Sequence, residues 1–476
     1  MNISDLQNAV RNAVAIRCRT KLQPAAGPGT KVFPPTHAGG VYATETRRLP
    51  DPDSPGGTRE SECVLLDSVQ SQANRIEDAL QLAIDQGDLA FPLIVVNFGN
   101  QVADIQRVTS LQAPHRAADA ILRDSLLNGV AFRQSDIGKA ITDSGLSNAT
   151  ALFQYCPHAL VLGVWDSTGP KGGLGAKFAR ALVSEVVGID ANYGVRTGSR
   201  IDPLQIAKQA GPLFRTANGG WTLAPEEAVK EMVKGKETGK VLLYKKVQKK
   251  DVYFDPIKQA GEVPDAGKPS AANHGNVTPD IVKYEKSSPS RDPFASQSQT
   301  SRFKLEQTGD GVTIRSSTDI SQVATVTAGQ IAAGGATIAY AEHSAVLSLP
   351  QLRRLRFPIN GHFDKNFDEA ARTVLASIAL VGLTLSIERG CDLRSRCLLF
   401  PEDAVVFQLL ETPGKPEDFK LSSADAIKLY NEAVKAATKV GLPWDTNPIE
   451  LVPSPQLVAL VKKSQELAAA SESSED

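Results

Sequence analysis

The sequence predicts a mixed core of helices and strands, of the α+β or α/β kind. Short runs of β-branched and aliphatic residues read as strands, while apolar stripes repeating every three to four residues read as helices. The two kinds alternate through the first half of the chain.

Taken in order, "MNISDLQNAVRNAVAIRCR" is an amphipathic start without the apolar core of a signal peptide. Residues 10–22, "VRNAVAIRCRTKL", end in an apolar and basic alternation that suits a strand. A Pro- and Gly-rich loop runs from Pro24 to about Gly57. "CVLLDSVQSQANRIEDALQLAIDQG" begins as a strand; from Ser68, Val69, Ala73, Ile76, Leu80 and Ala83 mark a helix that Gly87 stops. "FPLIVVNFG" and "HALVLGVWDS" read as strands, and "RAADAILRDSLLNG" and "SDIGKAITDSG" as short helices. A helix is expected near Pro225 to Lys234, then a basic strand in "KVLLYKKVQKK".

From about Asp255 to Arg302, Pro, Ser, Gly, Asn, Asp and Lys dominate, which reads as a long mobile insertion. "QVATVTAGQIAAGGATIAYAEHSAVLSL" leaves helix and strand unresolved. A helix near Asn366 to Val381 leads into a strand, "LTLSIERG"; "SSADAIKLYNEAVKAATKVG" is a capped amphipathic helix, and "AAASESSED" a frayed acidic tail.

The chain has 476 residues, with 52 Lys and Arg against 53 Asp and Glu and a net charge of −1. It is therefore not a polycation, and nucleic-acid binding has to come from local basic patches. No uninterrupted apolar run approaches the roughly 20 residues of a membrane span, so no membrane partner is expected. Five scattered cysteines without a C-x-x-C pair point to a reduced, cytoplasmic protein with no structural metal.

The stretch "GVWDSTGPKGGLGAKFARALVSEVVG", Gly163 to Gly188, resembles a phosphate loop but fails the spacing tests. Ala176 precedes Lys177, Phe178 stands where a P-loop needs Ser or Thr, and Phe178 also stands where the dinucleotide pattern needs its third glycine. Leu174, Phe178, Leu182 and Val186 recur every four residues, which reads as a helix from about Gly175, with Lys177, Arg180 and Ser184 on its polar face. Gly172 and Gly173 let the backbone approach an anion beside Lys171 and the helix start. A Gly-rich turn before an ordinary amphipathic helix fits equally well.

The histidines His37, His115, His158, His274, His343 and His362 show no paired spacing, and His158 and His343 read as satisfied core residues. No nucleophile has a base beside it, so no catalytic residue and no cofactor is expected. Basic and donor groups are better organised. Ser68 is an N-cap candidate, with Gln70 and Asn74 on one flank of its helix and Gln72 and Arg75 on another. "LSLPQLRRLRFP" groups Arg353, Arg354 and Arg356, and "GCDLRSRCLLF" puts Arg394 and Arg396 on one face if extended. A solvated face accounts for each cluster singly; several of them in a neutral chain favour an extended polyanion.

Together, "LLDSVQSQANRIE", "GVWDSTGPKGGLGAKFARALVSE", "LSLPQLRRLRFP" and "CDLRSRCLL" resemble the backbone subunit of type I-G (formerly I-U) CRISPR surveillance complexes. This is the Cas-seven-type branch of the RAMP superfamily, and the resemblance runs from about Arg17 to about Pro401. It implies a modified RRM (ferredoxin-like) palm with inserted finger and thumb segments. The implied layout is a palm with insertions over 1–254, the mobile insertion over 255–302, a return to the palm over 303–410 and a helical C-terminal segment over 411–476.

The implied function is non-catalytic. Copies of the chain would polymerise along CRISPR guide RNA (crRNA), hold its phosphates, present it to target DNA and assemble with the other Cascade subunits in antiviral defence. The family's S-x-Q-S stretch falls on Ser68, Gln70 and Ser71; where relatives carry a cation this chain has Ala73 and Asn74, followed by Arg75. Lys171, Lys177 and Arg180 would hold guide phosphates. The alternative is a RAMP-type RNA-processing endonuclease.

Overall fold

The computed structural model describes residues 1–37, 40–168, 177–200, 203–207, 210–245, 250–258, 262–271, 277–283, 303–308, 311–316, 325–327, 330–411 and 413–475. The chain divides into two compact units, Met1–Gly194 with Tyr284–Val458, and Val195–Lys283 with Ala459–Asp476.

The principal elements, in chain order, are α1 (Ile3–Asn12), β1 (Ala15–Pro24), β2 (Thr44–Pro50), β3 (Thr58–Asp67), α2 (Val69–Asp85), β4 (Ile94–Asn97), α3 (His158–Leu162), β5 (Val164–Trp165), β6 (Lys177–Phe178) and β7 (Leu182–Ile189). There follow β8 (Lys230–Val233), β9 (Lys236–Leu242) and β10 (Tyr253–Phe254) of the second unit, then β11 (Tyr340–Ser348), α4 (Leu349–Arg353), α5 (Lys365–Glu388), β12 (Cys391–Arg394), β13 (Cys397–Pro401), β14 (Phe407–Leu410), α6 (Ser423–Lys439), β15 (Ile449–Pro453) and α7 (Pro455–Glu475). The protein is thus α+β.

The main sheet runs β2-β3-β7-β11-β1-β13-β12, with β14 also pairing β1, and its pairings are antiparallel. The alternation in β1 fixes its two faces: Ile16, Cys18, Thr20 and Leu22 are buried, while Arg17, Arg19 and Lys21 turn the other way. β1 and β11 pair with Cys18 opposite Ala345 and Lys21 opposite Glu342, and Ala345 in turn lies opposite Ser184 of β7.

Helices α2 and α5 pack together on the buried side. The contact depends on Gly382 of α5, where a Cβ would stand 2.6 Å from Ile76 Cγ2. α5 is long and apolar enough to span a membrane by length and composition, yet its apolar residues are core, with Val374 to Val381 buried without a break. β4 lies parallel to β15 in a second, five-stranded sheet. The second unit has its own small core of Phe214, Ala228, Val241, Leu243, Phe254 and Val263.

Several expectations need correction. The helix expected from about Gly175 is instead the strands β6 and β7, with 169–176 outside the described residues. A spacing of four is common to a period of 3.6 and a period of 2, so Phe178, Leu182 and Val186 fit both. β7 is decided by its place between β3 and β11, where Val186, Val187 and Ile189 are all buried. "HALVLGVWDS" is the short helix α3, ended by Gly163 at φ +86°, and then β5.

The expected strand "LTLSIERG" is the last turns of α5, where the Thr384 hydroxyl donates to the carbonyls of Leu380 and Val381 and Gly390 ends the helix at φ +85°. Near Pro225, one 3-10 turn (Pro225–Glu227) gives way to β8, because Lys234 and Gly235 take positive φ and turn the chain back as a hairpin. "RAADAILRDSLLNG" holds only short helical turns before a strand, Ser125–Leu127, that turns at Asn128-Gly129. α7 runs on to Glu475, so the acidic tail is helical. Where the sequence left helix or strand open, Thr325–Thr327, Ala333–Thr337 and β11 are strands. Residues 259–261, 272–276 and 284–302 of the Pro/Ser-rich segment lie outside the described residues; Val277–Ile281 pairs with Thr197–Arg200.

Candidate nucleic-acid interface

Strand β3 ends at Asp67, and Ser68 leaves the strand in extended geometry to cap α2, its hydroxyl accepting from the Ser71 N–H at 3.2 Å. Asp67 has 0% exposure. A carboxylate taken out of water needs donors, and it has them from α2 and from β12. Gln72 Nε2 donates to Asp67 Oδ2 at 2.7 Å, Arg75 Nε at 2.9 Å, and Arg394 Nη2 reaches Oδ1 at 3.3 Å. Arg75 also donates to the carbonyls of Asp392 and Leu393, which ties the second turn of α2 to β12.

The β12–β13 turn places Arg396 at φ +62°, its guanidinium 4.0 Å from the centroid of Phe33. Phe33 N–H donates to Arg396 O at 3.1 Å, and Arg394 Nη1 reaches Phe33 O at 3.4 Å. Arg75 and Arg394, far apart in sequence, thus share one buried carboxylate beside the start of α2, and Arg396 follows two residues after Arg394, against Phe33. Gln70 and Asn74 are exposed on the neighbouring face of α2, and Arg396 is exposed in the turn. The site combines excess positive charge with free donors at a helix start, a combination that suits phosphate.

The other expected residues divide. Lys171, Gly172 and Gly173 lie outside the described residues. Lys177 is exposed and stands 5.2 Å from the centroid of the Trp165 ring, opposite it in the β5–β6 pair. Arg180 is half-buried, packed where a Cβ on Gly163 would fall and within electrostatic reach of Glu77. Ser184, placed beside Lys177 and Arg180 by a helical reading, is buried inside the sheet instead.

Arg353, Arg354 and Arg356 do not form one patch. Arg353 Nη1 donates to the carbonyls of Val10 (2.9 Å) and Ala13 (2.8 Å), closing the end of α1. Arg356 pairs with Asp368 of α5, and Arg354 is exposed, reaching Gln351 Oε1 at 3.3 Å. A short turn of α4 followed by an extended chain sends the three side chains three ways.

Sequence reasoning missed Asp67 and Phe33, the two groups that gather the cations. The adjacency of Asp67 to the Ser68 cap was the available signal; nothing in the local sequence marked Phe33.

Inside, Asp67 opens a buried polar chain. Gln72 Oε1 accepts from Ser184 Oγ at 2.9 Å, which leaves Ser184 Oγ to accept from His343 Nε2 at 2.8 Å. Burial lowers His343 to about 4, with Asp67 pulling the other way, so the ring is neutral. A second cluster joins Glu77 to Arg116 through two bonds of 2.7 and 2.8 Å, with His158 Nε2 donating to Ser110 O at 3.1 Å. Burial drives Glu77 up to about 7 against the pull of Arg116, and lowers His158 to about 3.

Cys156 Sγ lies 3.6 Å from His158 Nε2, but burial pushes the thiol up to about 12. That is the wrong direction for a nucleophilic thiolate. Both histidines are satisfied core residues, as the sequence indicated. Among the described residues no group of three or more His, Cys, Asp or Glu side chains is arranged to hold a metal ion.

The fold and interface define an α+β protein with a cationic site gathered at a helix start. Residues 16–193 match the model of a family described as CRISPR-associated protein GSU0053 (Cas_GSU0053). The matched span contains β1 from Ile16 onward, β3, α2 and β7. Comparison with curated proteins finds no match.

Proposed function

We propose that the chain is a non-catalytic backbone subunit of a type I-G CRISPR surveillance complex. Copies polymerise along guide RNA through sequence-independent phosphate contacts, present the guide to target DNA and dock against other Cascade subunits in the cytoplasm. The observation that carries the reading is the convergence of Arg75, Arg394 and Arg396 at the start of α2, with Gln70 and Asn74 exposed beside them.

Further support comes from the sheet order. β7-β11-β1-β13, with α2 between β1 and β7 in sequence and α5 between β11 and β13, follows the β-α-β-β-α-β pattern of an RRM-like palm. The hairpin of β2 and β3 then stands as an addition between β1 and α2. At the α2 site the groups that reach solvent are chiefly donors and cations, which supports a grip on the backbone with sequence read by guide–target pairing.

Native mass spectrometry of the chain reconstituted on guides of stepped length tests the proposal. Protein copies should increase in whole steps as the guide lengthens. One copy per RNA at every length contradicts it.

A further inference from the structure

The face of the main sheet turned away from α2 carries a second cationic feature. Ser184 and Ala345 point toward α2, so Arg17, Arg19 and Lys21 of β1 and Glu342 of β11 emerge on the opposite side. There Arg19, Lys21, Leu49, Pro50, Arg59, Tyr340 and Glu342 line a groove of about 360 Å³. Three cations stand against two carboxylates there, Glu342 in the wall and Asp190 paired with Arg59, which leaves the charge of Lys21 in excess.

The cations are held in place rather than loose. Arg19 Nη2 lies 2.6 Å from Glu342 Oε2, and Arg59 forms a two-bond fork with Asp190, both bonds 2.6 Å. Lys21 Nζ stands 4.7 Å from the centroid of the Tyr340 ring. Farther along β1, Arg17 Nε donates to Gln408 Oε1 at 2.6 Å and extends the basic row. Outward residues of a strand are about 6.6 Å apart, two steps of its rise, so the row can follow a string of phosphates.

We infer that this groove binds a phosphodiester of single-stranded nucleic acid, with its base or sugar against Tyr340, Leu49 and Pro50. The inference rests on the reading of the chain as a nucleic-acid-binding subunit, but it assigns a surface on the other side of the sheet from the α2 site. A cationic track with an aromatic wall is how single strands are held without sequence preference. The excess of cations favours this polyanion over a neutral peptide, and the single aromatic makes the grip tolerant of sequence. The strand is either the guide or the target, since both present the same chemistry.

Two measurements test the groove. The first titrates the full chain with a fluorescent oligouridylate across a range of salt. Lys21→Gln should weaken binding and reduce the salt slope by about 0.7, the share of one phosphate on a single strand. Tyr340→Leu should weaken binding about tenfold with the slope unchanged, as loss of one stacking ring does. Wild-type affinity and slope in both variants overturns the inference. If Arg396→Gln is nonetheless impaired, the α2 site and the proposed function stand without the groove. A wild-type chain that binds no oligonucleotide overturns both.

The second measurement places thiouridine in the guide, or thiothymidine in the target, of the assembled complex and crosslinks with light. A crosslink to the peptide carrying Tyr340 supports the groove, and the labelled strand identifies its occupant. No crosslink from either strand, or a crosslink only to another protein chain, overturns it.

Discussion

Arg75 Nε lies 2.9 Å from the Oδ2 of Asp67, a carboxylate with 0% exposure, while the same guanidinium holds the carbonyls of Asp392 and Leu393. One side chain therefore satisfies a buried charge and fastens α2 to the hairpin that carries Arg394 and Arg396. The placement of that hairpin against α2 depends on a carboxylate that never touches solvent.

Asp67→Asn keeps the shape but removes the charge that Arg75 and Arg394 share. A loss of about 2–4 kcal/mol is expected, the range for breaking a buried pair and its hydrogen bonds. Urea unfolding should show a lower midpoint with an unchanged m-value.

Gly382→Ala favours α5 by helix propensity, yet its Cβ meets Ile76 Cγ2 at 2.6 Å. Overpacking decides the sign, because the neighbour is a core side chain of α2 with little room to retreat. Stability should fall by about 1–3 kcal/mol, read as a lower thermal midpoint; an unchanged or raised midpoint counts against the close α2–α5 contact.

His343 is neutral in the fold, with its pKa lowered from 6.5 to about 4. Below 6.5 the unfolded chain takes up a proton that the folded ring does not accept until about pH 4. Stability is therefore lost as pH falls from 6.5 to 4, by about 1.4 kcal/mol per pH unit for this one group. His343→Gln should flatten that part of the pH profile. His158 acts in the same direction, while Glu77, raised to about 7, opposes both between pH 4.5 and 7. The difference between variant and parent isolates the His343 contribution.

Arg396→Gln removes an exposed cation without uncovering a buried charge. Guide affinity should fall about equally for unrelated sequences, and the salt slope should decrease by about 0.7. A loss confined to particular sequences would mean that Arg396 reads bases. Lys177→Ala should act the same way, whereas Arg180→Ala, next to Gly163 and Glu77, should cost stability as well.

Much of this was legible in the sequence, for reasons that vary by element. α2 was readable from Ser68 to Gly87 because cap, stripe and stop are local signals that agree. β7 was not, since apolar residues four apart satisfy both periods and only pairing with β3 and β11 settles them. Cation clusters were legible as composition but not as geometry. Arg353 and Arg356 are held by α1 and Asp368, while Arg75 reaches the Asp392 and Leu393 carbonyls, and shares Asp67 with Arg394, only because the fold brings β12 to α2. A contact made across such a separation leaves no trace in local spacing.

The most direct test is to express the chain with a CRISPR array and its neighbouring subunits, purify it in moderate salt and sequence the nucleic acid that accompanies it. Guide-length RNA of uniform spacer-plus-repeat composition, with several protein copies on each molecule, is the expected result. Recovery of an RNA-free monomer would contradict the account.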